Sequence, residues 1–294
     1  MTSSAAPSGL ARVPRLPPPL EPGARIAVVA PSGPSDPTLL EAGLTLLRQR
    51  YDVRVLPRLA ERRRGFLAGS DDERARELQE ALDDPDLGAI WIARGGYGLA
   101  RILPRLSFAR FALRPRWIVG FSDATVLHCR LAELGIPSLH ASNVTGLSRV
   151  PEQDLTATFE ALARGETRLP VPAEAGGING PVFGGNLTIL FSEAASGRLK
   201  VPPGCCLLLE DVSETSYRVD RMLTALIDGG HLSSVKALLL GEFTDCSPGK
   251  FEVPVKDVLR ERLEPLGRPI FFDLPIGHGA RNAPIVLGAL AALS

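Results

Sequence analysis

The sequence lacks several features that would assign it to a specialised class of protein. It has no excess of charge, since 33 Lys and Arg balance 33 Asp and Glu. Composition therefore gives no support for nucleic-acid binding or for attraction to a membrane surface. No apolar run is long enough to span a bilayer. A globular chain of one large domain or two ordinary ones is expected.

Cysteine and aromatic residues are also scarce. The four cysteines show no C-x-x-C spacing, so we expect no zinc site and a reduced, cytoplasmic chain. Cys205 and Cys206 lie in one strand-like run, so their side chains should face opposite sides and not bridge. Residues 1–23 are rich in Pro, Ser and Ala without an unbroken apolar core. They are interpreted as a flexible arm rather than a signal peptide.

Apolar runs and helical periodicity alternate through the first half of the chain. Strands are predicted at 25–30, 51–56, 88–93 and 117–121, with helices between and after them. Such alternation favours an α/β fold, with a parallel sheet covered by helices on both faces. Loops at the carboxyl ends of such strands gather at one edge. The loop at Arg94 and the turn at Ser122 are therefore expected to be neighbours.

In the second half of the chain, predicted strands and helices alternate less regularly. A softer region with several prolines and glycines, residues 151–179, is interpreted as a link between two domains. The predicted domains are residues 24–150 and 180–294. Helices are predicted at 218–228 and 255–263, and strands at 205–211 and 235–241.

The stretch from Trp117 to Leu134 reads as a buried strand, a sharp turn and a helix. Ser122 lies at this turn, where a serine hydroxyl stands clear of the backbone and the next amide, that of Asp123, points into the same space. The helix N-terminus adds partial positive charge where an oxyanion would form. The alternative is that Ser122 or Asp123 only caps the helix.

A serine nucleophile needs a base, and the chain has four histidines. His128 lies six residues past Ser122 on the same predicted helix and should point away from it. His231 follows a Gly-Gly loop with nothing to place it. His278 lies between two glycines, and His140 could end a short strand, so spacing leaves both open as the base.

The base in turn needs an acid that fixes its tautomer. Glu210 ends an apolar run and is well placed for this work, with Asp211 as the competitor. The alternative is that both acids are simply solvated at a strand end.

The loop Arg94-Gly-Gly-Tyr-Gly98 could approach a phosphate or a reacting oxygen. It does not complete G-x-G-x-x-G, because position 101 is Arg. Likewise, Ala124 replaces the last glycine of G-x-S-x-G, so the α/β-hydrolase fold is not indicated.

Taken together, these residues resemble the LD-carboxypeptidase family of serine peptidases, which includes muramoyltetrapeptide carboxypeptidases and microcin C self-immunity proteins. The resemblance runs from about Arg25 to the C-terminus. The motifs that carry it occur in one order: Ala30-Pro-Ser-Gly33, Ala93-Arg-Gly-Gly-Tyr-Gly98, Gly120-Phe-Ser-Asp-Ala-Thr125, Gly184-Gly-Asn-Leu-Thr188, Leu209-Glu-Asp211 with Glu214, Tyr217, Arg218 and Asp220, and Pro275-Ile-Gly-His-Gly279 with Asn282.

The resemblance implies Ser122 as nucleophile, His278 as base and Glu210 as the orienting acid. It implies an oxyanion hole made of the amides of Gly96 and Asp123.

It also implies a flavodoxin-like or Rossmann-like first domain, a C-terminal α/β domain carrying the acid and the base, and a site between the two. A cytoplasmic homodimer that needs no metal or other cofactor is expected. Because a carboxypeptidase must hold its substrate's free carboxylate, Arg94 and Tyr97 are candidate substrate-binding residues. The alternative for Arg94 is a structural role, since an arginine at a strand end is at least as often structural.

The leading functional hypothesis is release of a terminal D-amino acid, such as the D-alanine of a muropeptide tetrapeptide, by hydrolysis of an L,D-amide bond. The second is a microcin-immunity type of hydrolase that splits an acyl-amide link to a nucleotide. That activity would call for an aromatic surface, yet both tryptophans, Trp91 and Trp117, fall in predicted strands. A third hypothesis is a non-catalytic nucleotide-binding module that uses the Arg94 loop.

Overall fold

The computed structural model describes residues 14–169, 180–290 and 292–293. Its strands are β1 (Arg25–Val29), β2 (Asp52–Val55), β3 (Ala89–Ile92), β4 (Trp117–Gly120), β5 (Ser138–His140), β6 (Arg168–Leu169), β7 (Val182–Asn186), β8 (Cys206–Val212), β9 (Ala237–Thr244), β10 (Ile270–Phe271), β11 (Ile285–Leu287) and β12 (Ala292–Leu293). Its α-helices are α1 (Pro37–Arg48), α2 (Asp71–Asp83), α3 (Leu99–Ile102), α4 (Ala109–Leu113), α5 (Thr125–Glu133), α6 (Glu152–Arg164), α7 (Leu187–Ala195), α8 (Ser216–Asp228) and α9 (Val255–Leu263).

The first sheet has the strand order β11-β5-β4-β3-β1-β2. All neighbours are parallel except β11, which pairs antiparallel with β5. Every residue of β3 and β4 is buried, as continuous apolar runs predict for strands covered on both faces. The predicted α/β fold with a parallel sheet is confirmed.

The second sheet has the order β10-β9-β8-β7 and is parallel throughout. This regularity exceeds what the sequence of the second half predicts. Cys205 packs in one apolar cluster with Leu207, while Cys206 packs in another with Leu208 on the opposite face. Both cysteines are free, as the alternation of side chains along a strand predicts.

Helix α2 illustrates how local sequence defines an element. Ser70 and Glu73 form a reciprocal capping box at its first turn. Leu78 and Leu82, four residues apart, are fully buried against the first sheet. The helix also carries Arg74, a buried cation whose contacts reach the functional loops.

Between the two predicted domains lies α6, so residues 152–164 are helical. Residues 170–179 of the predicted link fall outside the described residues, as do residues 1–13 of the predicted arm. Residues 14–23 pack on the protein: Leu20 is buried, and the carbonyl of Pro18 accepts a hydrogen bond from Trp117 Nε1 at 2.9 Å. In the described ranges we find no helix with the length and apolar character needed to cross a bilayer.

Candidate active site

Ser122 lies at a sharp turn between β4 and α5. Its φ is 63°, a left-handed value that is uncommon for a residue with a side chain. A single 3₁₀ turn, Ser122–Ala124, connects it to the helix. Strained backbone at a partly exposed serine is typical of a nucleophile turn.

The alternative interpretation, in which Ser122 or Asp123 caps the helix, is wrong. Neither the 3₁₀ turn nor α5 has a side-chain cap. The carboxylate of Asp123 instead accepts hydrogen bonds from Ser32 Oγ at 2.6 Å and from Leu99 N at 2.9 Å. Burial raises the pKa of Asp123 to about 6, although these two hydrogen bonds oppose the rise.

Glu210 and His278 are in direct contact. His278 Nδ1 lies 2.7 Å from Glu210 Oε2, and Glu210 is fully buried near the carboxyl end of β8. The neighbouring Asp211 points elsewhere and accepts from Asn186 Nδ2 at 3.0 Å and Thr188 N at 2.9 Å. The structure therefore separates the two competing acids, and only Glu210 reaches the imidazole.

The electrostatic surroundings favour a charged His278. Burial lowers its pKa, but the hydrogen bond to Glu210 and the negative charges of Glu210 and Asp211 outweigh burial and raise the pKa above its usual value. The Nδ1 contact leaves Nε2 as the nitrogen available to a substrate or a nucleophile. This is the arrangement of a base with an orienting acid.

The His278 ring packs against the residue that precedes the predicted nucleophile. Its centroid is 4.6 Å from that of Phe121, the residue immediately before Ser122. In the described parts of the chain, no hydrogen bond joins Ser122 Oγ to the imidazole. Such contacts are often long in unliganded sites and tighten when substrate binds.

The loop after β3, residues 95–98, lies against Ser122, as the sheet topology predicts. We call it the glycine loop. A Cβ on Gly95 would be 2.9 Å from Ser122 Cβ and 3.0 Å from Ser122 Oγ, so only glycine allows this approach. Gly33 N donates to Gly95 O at 3.0 Å, which ties the loop after β1 to the loop after β3. Gly96 has a φ of 100°, a conformation that side chains rarely adopt.

The two candidate substrate-binding residues, Arg94 and Tyr97, are both exposed to solvent. Arg94 is exposed, and its Nη1 donates to Pro34 O at 2.7 Å. Tyr97 is 47% exposed and pairs with the 66% exposed ring of Phe66 at a centroid distance of 5.9 Å. No sequence motif surrounds Phe66, so its position beside Tyr97 could not be predicted from the sequence.

The histidine that sequence spacing left open, His140, does not contact the acid. It ends β5, is fully buried, and lies 5.7 Å from Phe121 between ring centroids. His128 is also buried, with its ring nitrogens 2.8 Å from Ser138 Oγ and 2.9 Å from Gly120 O. Burial lowers the pKa of both imidazoles, that of His128 to about 4.

A second set of contacts fixes the loop that carries His278. Asp154, buried on α6, accepts from Arg281 Nη2 at 2.6 Å and from Asn282 N at 3.1 Å. Asn282 Oδ1 in turn accepts from Gly277 N at 3.1 Å. Sequence reasoning missed Asp154, because nothing in its local sequence separates it from an ordinary helix-start acid.

The described residues contain no group of three or more His, Cys, Asp or Glu side chains arranged to hold a metal ion. The expected lack of a metal or cofactor stays a prediction.

The structure combines a mostly parallel and a fully parallel sheet, a serine at a left-handed turn, and a histidine bonded to a buried glutamate. These are the features of a serine hydrolase. A family model described as the LD-carboxypeptidase N-terminal domain matches residues 26–141, and a model described as the LD-carboxypeptidase C-terminal domain matches residues 179–293. The murein tetrapeptide carboxypeptidase of Pseudomonas aeruginosa is 34% identical over 284 residues, covering 92% of each chain. The chain therefore belongs to the LD-carboxypeptidase family, and it is a carboxypeptidase.

Two solved structures are similar to this chain. The crystal structure of muramoyltetrapeptide carboxypeptidase from Oxalobacter formigenes matches with a TM-score of 0.79 and 30% identity, covering 90% of this chain and 92% of that one. The structure of MccF in complex with glutamyl sulfamoyl guanosine matches with a TM-score of 0.80 over 94% of each chain. Its sequence identity is 22%, so that likeness shows a shared fold alone.

Proposed function

We propose that the protein is a serine carboxypeptidase that hydrolyses the amide between an L-configured centre and a terminal D-amino acid, as in the D-alanine of a muropeptide tetrapeptide. The observation that carries the proposal is the 2.7 Å contact between His278 and Glu210, with the imidazole packed beside the Ser122 turn. The names of relatives such as the murein tetrapeptide carboxypeptidase support the choice of substrate.

In this mechanism Ser122 Oγ attacks the carbonyl carbon while His278 Nε2 takes the hydroxyl proton. The amides of Gly96 and Asp123 donate to the oxyanion of the tetrahedral intermediate, and losing one such donor lowers kcat by about 10²–10³-fold in comparable enzymes. Glu210 holds Nδ1–H and stabilises the imidazolium. His278 then protonates the leaving amine, and water hydrolyses the acyl-enzyme.

The substrate's free carboxylate needs a cation or several donors. Arg94 is exposed and lies directly before the glycine loop, and Tyr97 lies directly after Gly96. We assign the carboxylate to Arg94 and one wall of the subsite to Tyr97. Replacing Arg94 with Gln should raise KM more than it lowers kcat, because the contact is made equally in the ground state and the transition state.

The deciding experiment incubates the protein with an L,D-tetrapeptide and follows D-alanine by mass spectrometry. Ser122→Ala should abolish release while the circular dichroism spectrum and the melting temperature stay close to those of the wild type. D-alanine release that persists in Ser122→Ala would remove the serine mechanism. An all-L tetrapeptide serves as the stereochemical control.

The microcin-immunity activity is the alternative, and the exposed Phe66–Tyr97 pair is the observation that favours it, because a nucleobase could stack there. Both tryptophans are fully buried and offer no such surface. Aspartyl sulfamoyl adenosine, the ligand in one MccF structure, is the probe. Faster hydrolysis of this compound than of the L,D-tetrapeptide would favour the alternative.

We also propose that the protein acts as a cytoplasmic homodimer. The support is the family resemblance together with free cysteines at all four positions. Light scattering coupled to gel filtration tests the dimer, and cell fractionation tests the compartment.

A further inference from the structure

A cluster of buried polar side chains lies behind the loops that carry the proposed oxyanion amides. It consists of Ser32, Arg74 and the carboxylate of Asp123, and none of these three side chains is exposed. We call it the loop cluster. The mechanism proposed above uses the backbone of Asp123 and leaves all three side chains without a role.

The carboxylate of Asp123 connects the Ser122 turn to both neighbouring loops. Its Oδ2 accepts from Ser32 Oγ at 2.6 Å, in the loop after β1, and from Leu99 N at 2.9 Å, just after the glycine loop. The residue that supplies one oxyanion amide is therefore fixed to the loop that supplies the other. Hydrogen bonds to a carboxylate are short and directional, so they fix orientation as well as distance.

Arg74 holds the same two loops from α2. Its Nη1 donates to Gly98 O at 3.0 Å and also to Pro31 O. Each of these carbonyls belongs to the residue immediately before a donor to Asp123. The guanidinium is so close to the glycine loop that a Cβ on Gly98 would be 2.6 Å from Nη1. One cation thus sets the spacing of both loops.

Stability alone is a weak reason for such an arrangement. A buried ionic cluster is often no more stabilising than apolar side chains of the same volume, because the charges lose their hydration. An oxyanion hole, by contrast, needs its donors held to within about 0.5 Å of the productive geometry. The cluster lies where that accuracy is needed.

We propose that Ser32, Arg74 and the carboxylate of Asp123 are positioning residues that hold the amides of Gly96 and Asp123 at the spacing a tetrahedral oxyanion requires. The proposal deepens the function proposed above and rests on it. The cluster touches no reacting atom and acts through the two backbone amides.

The test is Ser32→Ala, assayed on the L,D-tetrapeptide and with two inhibitors. The first is a phosphinate analogue, in which a tetrahedral phosphorus replaces the scissile carbonyl. The second is D-alanine, the released amino acid, which lacks the scissile carbonyl and so makes no oxyanion contact. We expect kcat to fall about 10–10²-fold with KM within about twofold, because the amides are displaced rather than lost. The affinity for the phosphinate should fall by the same factor, and the affinity for D-alanine should not change.

Ser216→Ala is the matched control. Ser216 is equally buried, and its hydroxyl donates to Val253 O at 2.6 Å in the second half of the chain. The control should lose stability to a similar extent with kcat and phosphinate affinity unchanged. If Ser32→Ala behaves like Ser216→Ala, the hydroxyl is only structural and the inference is overturned.

Arg74→Lys is the second variant, and it decides the matter if Ser32→Ala does not fold. It keeps the buried charge but replaces the planar guanidinium that holds the two carbonyls. The same loss of kcat and phosphinate affinity supports the inference, and unchanged values overturn it. A wild-type protein that cleaves no L,D-peptide overturns the proposed function, and the inference with it. An active wild type with unaffected variants overturns the inference alone.

Discussion

The contact between Glu210 and His278 sets the pH range in which this histidine can accept a proton. Burial lowers the pKa of His278, but the hydrogen bond to Glu210 and the negative charges of Glu210 and Asp211 together outweigh burial and raise it. A general base must be neutral in the free enzyme, so kcat/KM should fall as the pH drops through a value above the ordinary 6.5.

Replacing Glu210 with Gln removes the charge and keeps the shape. Burial then dominates, so the pKa of His278 falls and the acidic limb of the kcat/KM profile moves to lower pH. The maximal rate should fall about 10²–10⁴-fold, because the imidazolium loses its partner. Asp211→Asn is the control, since Asp211 does not touch the ring and should shift the limb less. An acidic limb that stays in place in Glu210→Gln would contradict this account.

Gly95 should be intolerant of any side chain. Its φ is not in the left-handed region, so Gly95→Ala adds little backbone strain, but the new methyl would press on Ser122 Oγ from 3.0 Å. We expect kcat to fall by at least about tenfold with a small change in melting temperature. Gly146→Ala is the matched control, because its Cβ would meet Ser142 at an ordinary 3.5 Å. Equal kcat values in the two variants would refute the steric argument.

Sequence patterns predicted the positions of some site residues but could not choose between others. The strand-turn-helix pattern placed Ser122, and strand alternation separated Glu210 from Asp211. Spacing could not choose His278 over His140, because that choice depends on which loop meets Glu210 in space. The loop cluster could not be predicted either. Ser32, Arg74 and Asp123 come from three separate segments of the chain, and only the fold brings them together.

At the scale of elements, α6 supports the loop that carries the proposed base, His278. Asp154 is 2% exposed and accepts three hydrogen bonds from Arg281, at 2.6, 2.8 and 3.0 Å. The helix therefore anchors residues 277–282 through side chains as well as connecting the two halves.

Arg281→Ala should show this anchoring directly. It leaves the buried carboxylate of Asp154 with the backbone donor Asn282 N, so we expect a loss of about 2 kcal/mol in the free energy of unfolding, together with a lower kcat as the His278 loop loosens. Urea unfolding and steady-state kinetics measure the two effects. Arg48→Ala breaks the exposed pair with Glu41 and should cost less than about 1 kcal/mol with kcat unchanged. A stable, fully active Arg281→Ala protein would exclude the anchoring role.

Elements with strong periodicity were predictable, while α6 was not. Prolines and glycines in residues 151–179 suggested a link, although Leu155, Phe159 and Leu162 recur at helical spacing within it. The composition of the whole segment concealed a local pattern. The pairing of β11 with β5 could not be predicted, since a three-residue strand carries too little pattern to identify a partner far away in the sequence.

At the scale of the whole molecule, β11 joins the two halves. It lies near the end of the second half of the chain, yet it pairs with β5 at the edge of the first sheet. Cys129 of α5 also packs in the apolar cluster of the second sheet. The two halves should therefore unfold together in one transition.

Trp91 and Trp117 make this testable, because both are buried in the first sheet. Their fluorescence reports that sheet alone, while far-ultraviolet circular dichroism reports helices of both halves. The two signals should have the same midpoint in urea. Truncation after residue 284, which removes β11, should lower the tryptophan midpoint. Ellipticity lost well before the tryptophan signal would show that the halves unfold independently.

The antiparallel junction between Ile285 and His140 also limits how the enzyme can open. The polypeptide runs from His278 directly into a strand hydrogen-bonded to the sheet that bears Ser122. The proposed base, His278, and the proposed nucleophile, Ser122, are therefore connected to the same sheet. They cannot move apart about a hinge unless the pairing of β11 with β5 breaks. We therefore expect access to the active site to depend on the width of the incoming peptide. A peptide with a single free chain end should be cleaved, and a branched or cross-linked peptide should not.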